Sequence, residues 1–155
     1  MDEMKHGNYG RLLLMAGLHF VAMFALMYAM VDRFAYALPN LNQVYMAALM
    51  TSPMLIIELL LMGSMYPDKR RNLALLATAA IVLATSFLSI RQQAGIGDRE
   101  FLRSMIPHHA GAILMCQQAT LHDPQILKLC NNIVASQQTE IEQMKALLQS
   151  PEVYR

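Results

Sequence analysis

The apolar residues of this chain fall into three long blocks that are separated by short polar segments. The first block covers residues 12–31 and the third covers residues 73–90, and neither contains Asp, Glu, Lys or Arg. The middle block, 44–66, contains one charged residue, Glu58. A helix needs roughly 20 apolar residues to cross the hydrocarbon core of a bilayer. The pattern therefore predicts three transmembrane helices, at about 12–31, 44–66 and 73–90.

Positive charge is distributed unevenly among the polar segments. Lys69, Arg70 and Arg71 lie between the second and third blocks, whereas the segment between the first two blocks carries Arg33. Lysine and arginine are enriched in the cytoplasmic loops of membrane proteins. We therefore expect a multi-pass protein of a plasma membrane, with a cytoplasmic N-terminus and an extracytoplasmic C-terminal segment. The net charge of +1 gives no indication of nucleic acid binding.

The remaining segment, 98–149, has the periodicity of two amphipathic helices. Apolar residues recur at spacings of three and four on both sides of a turn at Asp123-Pro124. The chain is therefore predicted to be all-α and to end in an antiparallel αα-hairpin. This divides it into a membrane domain, 1–94, a hairpin domain, 98–149, and a tail, 150–155. Because one hairpin buries little apolar surface by itself, we expect two copies to pair into a four-helix bundle.

Two adjacent histidines and several methionines lie within the predicted hairpin. Met105 precedes His108 and His109 by about one helical turn, and Met144 of the second helix is expected close to them. Thioether sulfur is a soft ligand and imidazole a borderline one, so this combination suits copper better than magnesium or calcium. The simpler interpretation is a pair of surface or hydrogen-bonded histidines. The candidate metal site comprises Met105, His108, His109, Met115 and Met144, with Gln137 and Glu140 as candidates for orienting the imidazoles.

The two cysteines of the chain are expected to face each other. If the turn centres near residue 123, Cys116 lies opposite Cys130 and His109 lies opposite Gln137. Three interpretations stay open for the cysteines: inert buried thiols, metal thiolates or a disulfide. An extracytoplasmic hairpin lies in a compartment where disulfides persist. A copper thiolate would be the better interpretation if the hairpin were cytoplasmic.

Methionines also recur along one face of each of the first two predicted spans. Methionine is a flexible apolar filler, and helix packing alone would explain both rows. His19 and Glu58 interrupt the rows, however, and ionisable residues within a membrane are costly and usually functional. The rows are therefore the basis of an alternative function, the transport of Cu(I) along a helix interface. This candidate path comprises Met15, His19, Met23, Met27, Met46, Met50, Met54, Glu58 and Met62.

Two motifs of the hairpin are typical of one family. These are Met105-Ile106-Pro107-His108-His109 and, further along, Glu140-Ile141-Glu142-Gln143-Met144. They resemble the bacterial family called domain of unknown function 305, in its membrane-anchored branch. The resemblance implies a ferritin-like helical bundle, extracytoplasmic placement and an association with copper and silver handling. On matching positions it implies that Cu(I) or Ag(I) is bound by Met105, His108, His109, Met115 and Met144.

The chain departs from the family pattern at Cys116 and Cys130, where the resemblance leads us to expect small, alanine-like residues. Both departures fall where the register of the hairpin brings the two positions together. This favours a disulfide between them.

We expect a binding protein rather than an enzyme. The sequence has no pair of Glu-x-x-His motifs, no His-Glu-x-x-His motif and no glycine-rich phosphate loop. The leading hypothesis is a Cu(I)- or Ag(I)-binding protein of the bacterial inner membrane, which sequesters the metal or relays it to copper-handling proteins. The alternatives are a Cu(I) transport subunit and an assembly or sensor module that binds no metal.

Overall fold

The computed structural model describes the backbone of residues 2–151 and the side chains of residues 8–151. Within this range the chain forms helices and no strands. It divides into two compact units: a membrane unit, Met1–Leu26 with Asn42–Ala94, and a C-terminal unit, Met27–Leu41 with Gly95–Arg155. The α-helices are α1 (Asp2–Leu26), α2 (Leu41–Leu61), α3 (Lys69–Gln92), α4 (Asp98–Gln118) and α5 (Pro124–Gln149), and short 3-10 turns lie at Met27–Met30, Phe34–Tyr36 and Gly63–Met65. Most of the predicted tail, 152–155, lies outside the described residues.

Three helices are long and apolar enough to cross a membrane, by length and composition: Asn8–Met30, Leu41–Leu61 and Lys69–Gln92. The bounds differ most from the prediction in the second span, where α2 ends before the predicted end at residue 66. The chain leaves the helix because Gly63–Met65 forms a 3-10 turn. Glu58 therefore lies in the last turn of α2 and not near the middle of a span.

Tyrosines connect the α2–α3 loop to α1 within the membrane unit. The Tyr9 hydroxyl donates a hydrogen bond to Asn72 Oδ1 at 2.6 Å, and Asn72 Nδ2 donates to the Tyr66 carbonyl oxygen at 2.7 Å. The rings of Tyr9 and Tyr66 have centroids 5.4 Å apart and pack with Leu12 and Leu59 in a buried cluster. These contacts fix the end of the membrane unit that carries the basic residues between the second and third spans.

Helix α5 begins with the capped turn that the sequence predicts. Asp123 Oδ1 accepts hydrogen bonds from the backbone N–H groups of Gln125 and Ile126, at 2.7 and 3.1 Å. Such a side chain satisfies donors that have no partner within the helix. Pro124 occupies the first turn, where its missing N–H removes no helical bond. The polypeptide is therefore turned sharply between α4 and α5.

Helices α4 and α5 pack against each other in the C-terminal unit. Cys116 is bonded to Cys130 and His109 contacts Glu140, so the helices run in opposite directions. The core between and beside them excludes water from one face of each helix. Its buried apolar residues are Tyr36, Leu102, Ile106, Ala110, Ile113, Ile141 and Met144.

The segment Met27–Leu41, which joins the first two spans, packs on α4. The carbonyl oxygen of Met30 lies 3.5 Å from the position that a Cβ atom would take at Gly111. Tyr36 is buried in the core, and its hydroxyl accepts a hydrogen bond from Gln138 Nε2 at 3.4 Å. The segment therefore covers α4 and also reaches α5.

Asn40 meets α4 at the point where the helix lacks a backbone hydrogen bond. Pro107 has no N–H group, so the carbonyl of Arg103 has no helical partner. The buried Asn40 side chain brings Nδ2 to 3.5 Å from that carbonyl oxygen, and α4 continues through the proline. Residues 27–41 thus pack with the C-terminal unit, whereas the sequence pattern places them in a membrane domain of residues 1–94.

A disulfide joins α4 and α5 close to the turn. Cys116 and Cys130 are bonded through sulfur, with Cα atoms 5.3 Å apart and a sequence separation of 14 residues. Of the three interpretations left open by the sequence, the structure contains the disulfide. In this state neither cysteine offers a thiolate to a metal ion.

We expect the paired substitution Cys116→Ser and Cys130→Ser to lower the free energy of unfolding of the C-terminal unit by about 3 kcal/mol. The reason is that a cross-link closing a loop of about 15 residues restricts the unfolded chain. Urea-dependent proteolysis of the detergent-solubilised chain measures the change as the fraction of α4–α5 cleaved. Reduced wild-type protein is the control and should match the variant. A urea midpoint that stays unchanged in the variant would contradict the expectation.

Candidate metal centre

His109 is buried between two groups that engage both nitrogens of its ring. Its Nδ1 atom lies 2.9 Å from the carbonyl oxygen of Met105, one turn earlier on α4. Its Nε2 atom lies 2.7 Å from Glu140 Oε2 on α5. The other oxygen of that carboxylate accepts a hydrogen bond from the Ser136 hydroxyl at 2.7 Å. The imidazole therefore links the two helices, and its side chain is only 9% exposed.

These partners occupy both nitrogens of the ring. A carbonyl oxygen only accepts hydrogen bonds, so Nδ1 carries a proton. Hydrogen bonds donated by Ser136 and His109 lower the pKa of the Glu140 carboxyl, which is therefore a carboxylate at neutral pH. Both ring nitrogens are thus engaged in hydrogen bonds, and neither is free for a metal ion in this arrangement. His109 links α4 to α5 through Glu140, whereas the sequence pattern predicts it as a metal ligand.

Glu140, and not Gln137, is the residue of α5 that contacts His109. The register estimated from the turn holds at the cysteines but differs at the histidine by three residues, which is about one helical turn. Gln137 is half-buried. Glu140 contacts the imidazole of a histidine whose two nitrogens are both engaged, and its role in orienting a metal ligand stays a prediction.

Ser136 is a site residue that the sequence analysis missed. It lies four residues before Glu140 on α5, and side chains at that spacing meet on a helix surface. This spacing of four residues was the feature of the sequence that could have identified Ser136. Its hydroxyl holds the carboxylate in place while the other oxygen pairs with His109.

Two of the predicted methionine ligands belong to the core or to its edge. Met144 is 8% exposed and lies in the buried apolar cluster with Leu102 and Ile106. Met105 is half-buried and packs against the same cluster. A buried thioether fills space as an apolar group. The structure therefore gives Met144 a packing role, whereas Met105 lies between the core and the surface.

A line of exposed residues on α4 carries the other candidate ligands. Phe101 is 49% exposed, Met115 is 55% exposed, and His108 lies midway between them and is also exposed. Residues seven apart lie on one side of a helix, two turns from each other. Met105 lies one turn before His108 and flanks this line. We call Met105, His108 and Met115 the soft-ligand stripe.

The soft-ligand stripe differs chemically from the interior of the unit. In the described part of the chain, no three His, Cys, Asp or Glu side chains are grouped so that they would hold a metal ion. Residues 101–118 of α4 contain neither Asp nor Glu. The stripe thus offers nitrogen and sulfur without carboxylate oxygen, a donor set that suits Cu(I) and does not suit Mg²⁺, Ca²⁺ or Mn²⁺.

Comparison with known proteins identifies the family. The sequence profile described as "Domain of unknown function (DUF305)" matches residues 70–148, about half of the chain. This chain belongs to the DUF305 family. It is similar to "Uncharacterized protein L153" of Acanthamoeba polyphaga mimivirus, with 36% identity over 111 residues that make up 70% of this chain and 71% of that protein. No solved structure matches the chain.

The DUF305 match includes α4 and α5 and also most of α3, the third candidate span. It therefore covers the soft-ligand stripe, the disulfide and the His109–Glu140 pair. The family description names no ligand and no activity. Metal binding by this DUF305 member accordingly stays a prediction, which the geometry of the stripe now restricts to fewer residues.

The methionine rows of the first two spans are only partly buried in this DUF305 protein. Met15 and Met50 are 37% and 43% exposed, and His19 is half-buried. Glu58 Oε1 accepts a hydrogen bond from the Tyr66 hydroxyl at 3.3 Å. The other members of the predicted path are Met23, Met46 and Met54, which are half-buried, Met62, which is exposed, and Met27, which lies in a 3-10 turn of the C-terminal unit.

We expect Glu140→Gln to remove a pH-dependent part of the stability of the C-terminal unit. Folding lowers the pKa of Glu140, so its ion pair stabilises the fold above the pKa of an unfolded glutamate. This contribution is lost as the pH falls below about 4.5 and through the lower pKa of the folded state. The urea midpoint of wild-type protein should therefore fall over this range more steeply than that of the variant.

Glu142→Gln is the matched control for this measurement. Glu142 is exposed on the same helix and accepts a hydrogen bond from Gln138 at 3.4 Å. Urea-dependent proteolysis at neutral and acidic pH compares the three proteins. Identical pH profiles for Glu140→Gln and wild type would contradict the assigned role of the ion pair.

Proposed function

We propose that this DUF305 protein is a membrane-anchored Cu(I)- or Ag(I)-binding protein, which sequesters the metal or relays it to copper-handling partners. The observation that carries the proposal is the soft-ligand stripe. Its imidazole, His108, lies one turn after the Met105 thioether and two turns before the Met115 thioether, on the exposed side of α4. Imidazole and thioether together favour a soft, monovalent metal ion over the hard divalent ions.

His108 is the central ligand in this proposal. Its ring nitrogens have no hydrogen-bond partner among the described residues, in contrast to those of His109. The two rings have centroids 6.3 Å apart, yet one is buried and the other is exposed. An imidazole nitrogen that is open to solvent can bind a metal ion. Met105 is the nearest thioether along the helix.

The rest of the C-terminal unit gives the stripe a rigid support. The His109–Glu140 bond and the disulfide both tie α4 to α5, and the core is packed along the inner side of α4. Ligands on rigid elements are held closer to a productive geometry than ligands on loops. We assign His109 and Met144 to this support and not to the metal.

The proposal places the C-terminal unit on the extracytoplasmic side of a bacterial inner membrane. A disulfide persists in such an oxidising compartment and not in the cytoplasm. The first turn of α3 contains the basic residues Lys69, Arg70 and Arg71, and this end of the helix is expected on the cytoplasmic side. If the chain crosses the membrane three times, the segment Met27–Leu41 and the chain after α3 lie on the same side of the membrane. Their packing into one unit requires this arrangement.

We expect His108→Ala to weaken Cu(I) binding by more than about tenfold, because outer-shell changes alone cost 10–100-fold at metal sites. Met105→Leu should weaken it less, since a neighbouring thioether is lost while the shape of the side chain is nearly kept. The measurement is a competition titration with a chromogenic Cu(I) chelator, with ascorbate as reductant, on the full chain in detergent.

His122→Ala is the matched control for His108→Ala. His122 is exposed in the turn between α4 and α5 and lies outside the soft-ligand stripe. Its variant should bind Cu(I) as the wild type does. Equal Cu(I) affinity in His108→Ala and in wild type would remove the basis of the proposal, and a loss of binding in both histidine variants would show that the stripe is not specific.

We expect the turn between α4 and α5 to be reachable from outside an intact cell. A single added cysteine at His122, His122→Cys, should react with a membrane-impermeant maleimide in whole cells, because the native cysteines are paired and do not compete. A cysteine at Lys69, Lys69→Cys, should react only after the cells are opened. The reverse pattern of labelling would invert the proposed orientation.

A further inference from the structure

The C-terminal unit has an apolar face that no other part of the described chain covers. On α4, the exposed side of the helix carries the line of residues that includes His108. On α5, a second line of apolar residues lies beside Glu140. The segment Met27–Leu41 covers another side of both helices, with Met30 at Gly111 of α4 and Tyr36 beside Gln138 of α5, so the two lines lie on the same, uncovered side of the helix pair. We call this surface the open face; it comprises Phe101, His108 and Met115 of α4 and Leu129, Ile133 and Leu147 of α5.

Two charged side chains of α5 lie on the other side of the unit, away from the open face. Lys145 Nζ lies 5.3 Å from the ring centre of Tyr36, on the side that the segment Met27–Leu41 covers. Glu142 is linked through Gln138 to the same tyrosine. The open face itself contains no Asp, Glu, Lys or Arg, and Glu140 beside it is paired with His109. A surface without uncompensated charge meets its own copy without electrostatic repulsion.

This lack of charge also disfavours a lipid surface as the partner of the open face. Surfaces that bind anionic membranes are rich in lysine and arginine, each of which contributes about 1 kcal/mol near the headgroups. The open face has neither. Its exposed leucines, methionine and phenylalanine instead match the apolar centre of a protein interface.

The open face is large enough to form a stable dimer. Helix α4 has 21 residues, so at about 1.5 Å per residue the face is roughly 30 Å long. Two packed helices present a width of about 20 Å, which gives roughly 600 Å² for each copy. A pair would bury roughly 1,200 Å² in total, above the approximate 1,000 Å² expected of a specific interface. Anchorage in one membrane raises the local concentration of the copies further.

A single copy offers an incomplete ligand set. Met115 is two helical turns from His108, about 10 Å along α4, so the two side chains do not share one ion. One copy therefore offers a metal ion only the His108 imidazole and the neighbouring Met105 thioether. His108 is, however, the middle residue of α4, which spans Asp98–Gln118. In a twofold interface the residues near the axis meet the same residues of the other copy.

We infer that two copies of this chain pair through the open face and hold one Cu(I) or Ag(I) ion between their His108 side chains. The Met105 thioethers of both copies flank the ion. This inference rests on the proposed function and deepens it, since the metal site is then shared between two chains. Binding and pairing are consequently coupled: the ion stabilises the dimer, and the dimer completes the site.

Native mass spectrometry of the full chain, released from detergent micelles, counts chains and ions together. Ag(I) is the probe because it needs no reductant and leaves the disulfide intact. We expect about one ion for each two chains, and a dimer fraction that rises with Ag(I). His108→Ala should lose both the ion and the effect of Ag(I) on pairing. Far-UV circular dichroism checks that the variant keeps its helices.

A pair of leucine variants separates the interface from the ligands. Leu129→Glu places a charge on the open face, whereas Leu127→Glu places one on another exposed side of α5. Leu129 and Leu127 are 57% and 42% exposed, so neither change disturbs the core. Leu129→Glu should abolish pairing and weaken Ag(I) binding more than about tenfold although it removes no ligand, and Leu127→Glu should do neither.

The outcomes distinguish this inference from the proposed function. One Ag(I) ion on each monomer, with equal affinity in both leucine variants, would overturn the shared site and leave the proposed function standing. Pairing that is equal with and without Ag(I) would overturn the bridging ion. A wild-type chain that binds no Ag(I) would overturn the inference together with the proposed function.

Discussion

The ion pair between His109 and Glu140 is the contact on which the arrangement of the C-terminal unit depends. Adjacent residues on a helix point about 100° apart, so a helix that turns His109 inward must turn His108 away from the core. Glu140 draws His109 into the gap between α4 and α5, and the Met105 carbonyl fixes the orientation of the ring. One histidine thus becomes structural, and its neighbour becomes available for chemistry.

A second constraint comes from the segment between the first two spans. It covers α4 from the other side, with the Met30 carbonyl against Gly111 and the Asn40 side chain at the carbonyl that Pro107 leaves without a partner. A proline within a helix usually weakens it, yet here the freed acceptor fastens a connecting segment to the helix. With α5 on one side and this segment on another, α4 retains one exposed line, and that line carries the soft ligands.

Much of the fold follows from patterns in the sequence. Apolar blocks define the three candidate spans, the Asp123-Pro124 turn defines the start of α5, and the spacing across that turn places Cys116 beside Cys130. The packing of 27–41 onto α4 was not predictable in this way, because the segment is short and has no periodicity. Pro107 alone predicts that the Arg103 carbonyl lacks its helical hydrogen-bond donor. The sequence around Asn40, however, does not identify it as the residue that reaches this carbonyl.

The candidate site was only partly predictable for a similar physical reason. Five soft or borderline ligands on two facing helices are compatible with one cluster, and only the rotation of each helix decides which side chains converge. A difference of one turn brings Glu140 rather than Gln137 to His109, and burial among Leu102 and Ile106 removes Met144 from the surface. The soft-ligand stripe of Met105, His108 and Met115 is what remains.

X-ray absorption spectroscopy at the copper edge tests the central claim most directly, because it reports the atoms bound to the metal. Full-length protein loaded with Cu(I) should show imidazole nitrogen together with sulfur, and the imidazole signal should disappear in His108→Ala while persisting in His122→Ala. A spectrum with oxygen or nitrogen ligands alone, or an imidazole signal that survives His108→Ala, would contradict the account.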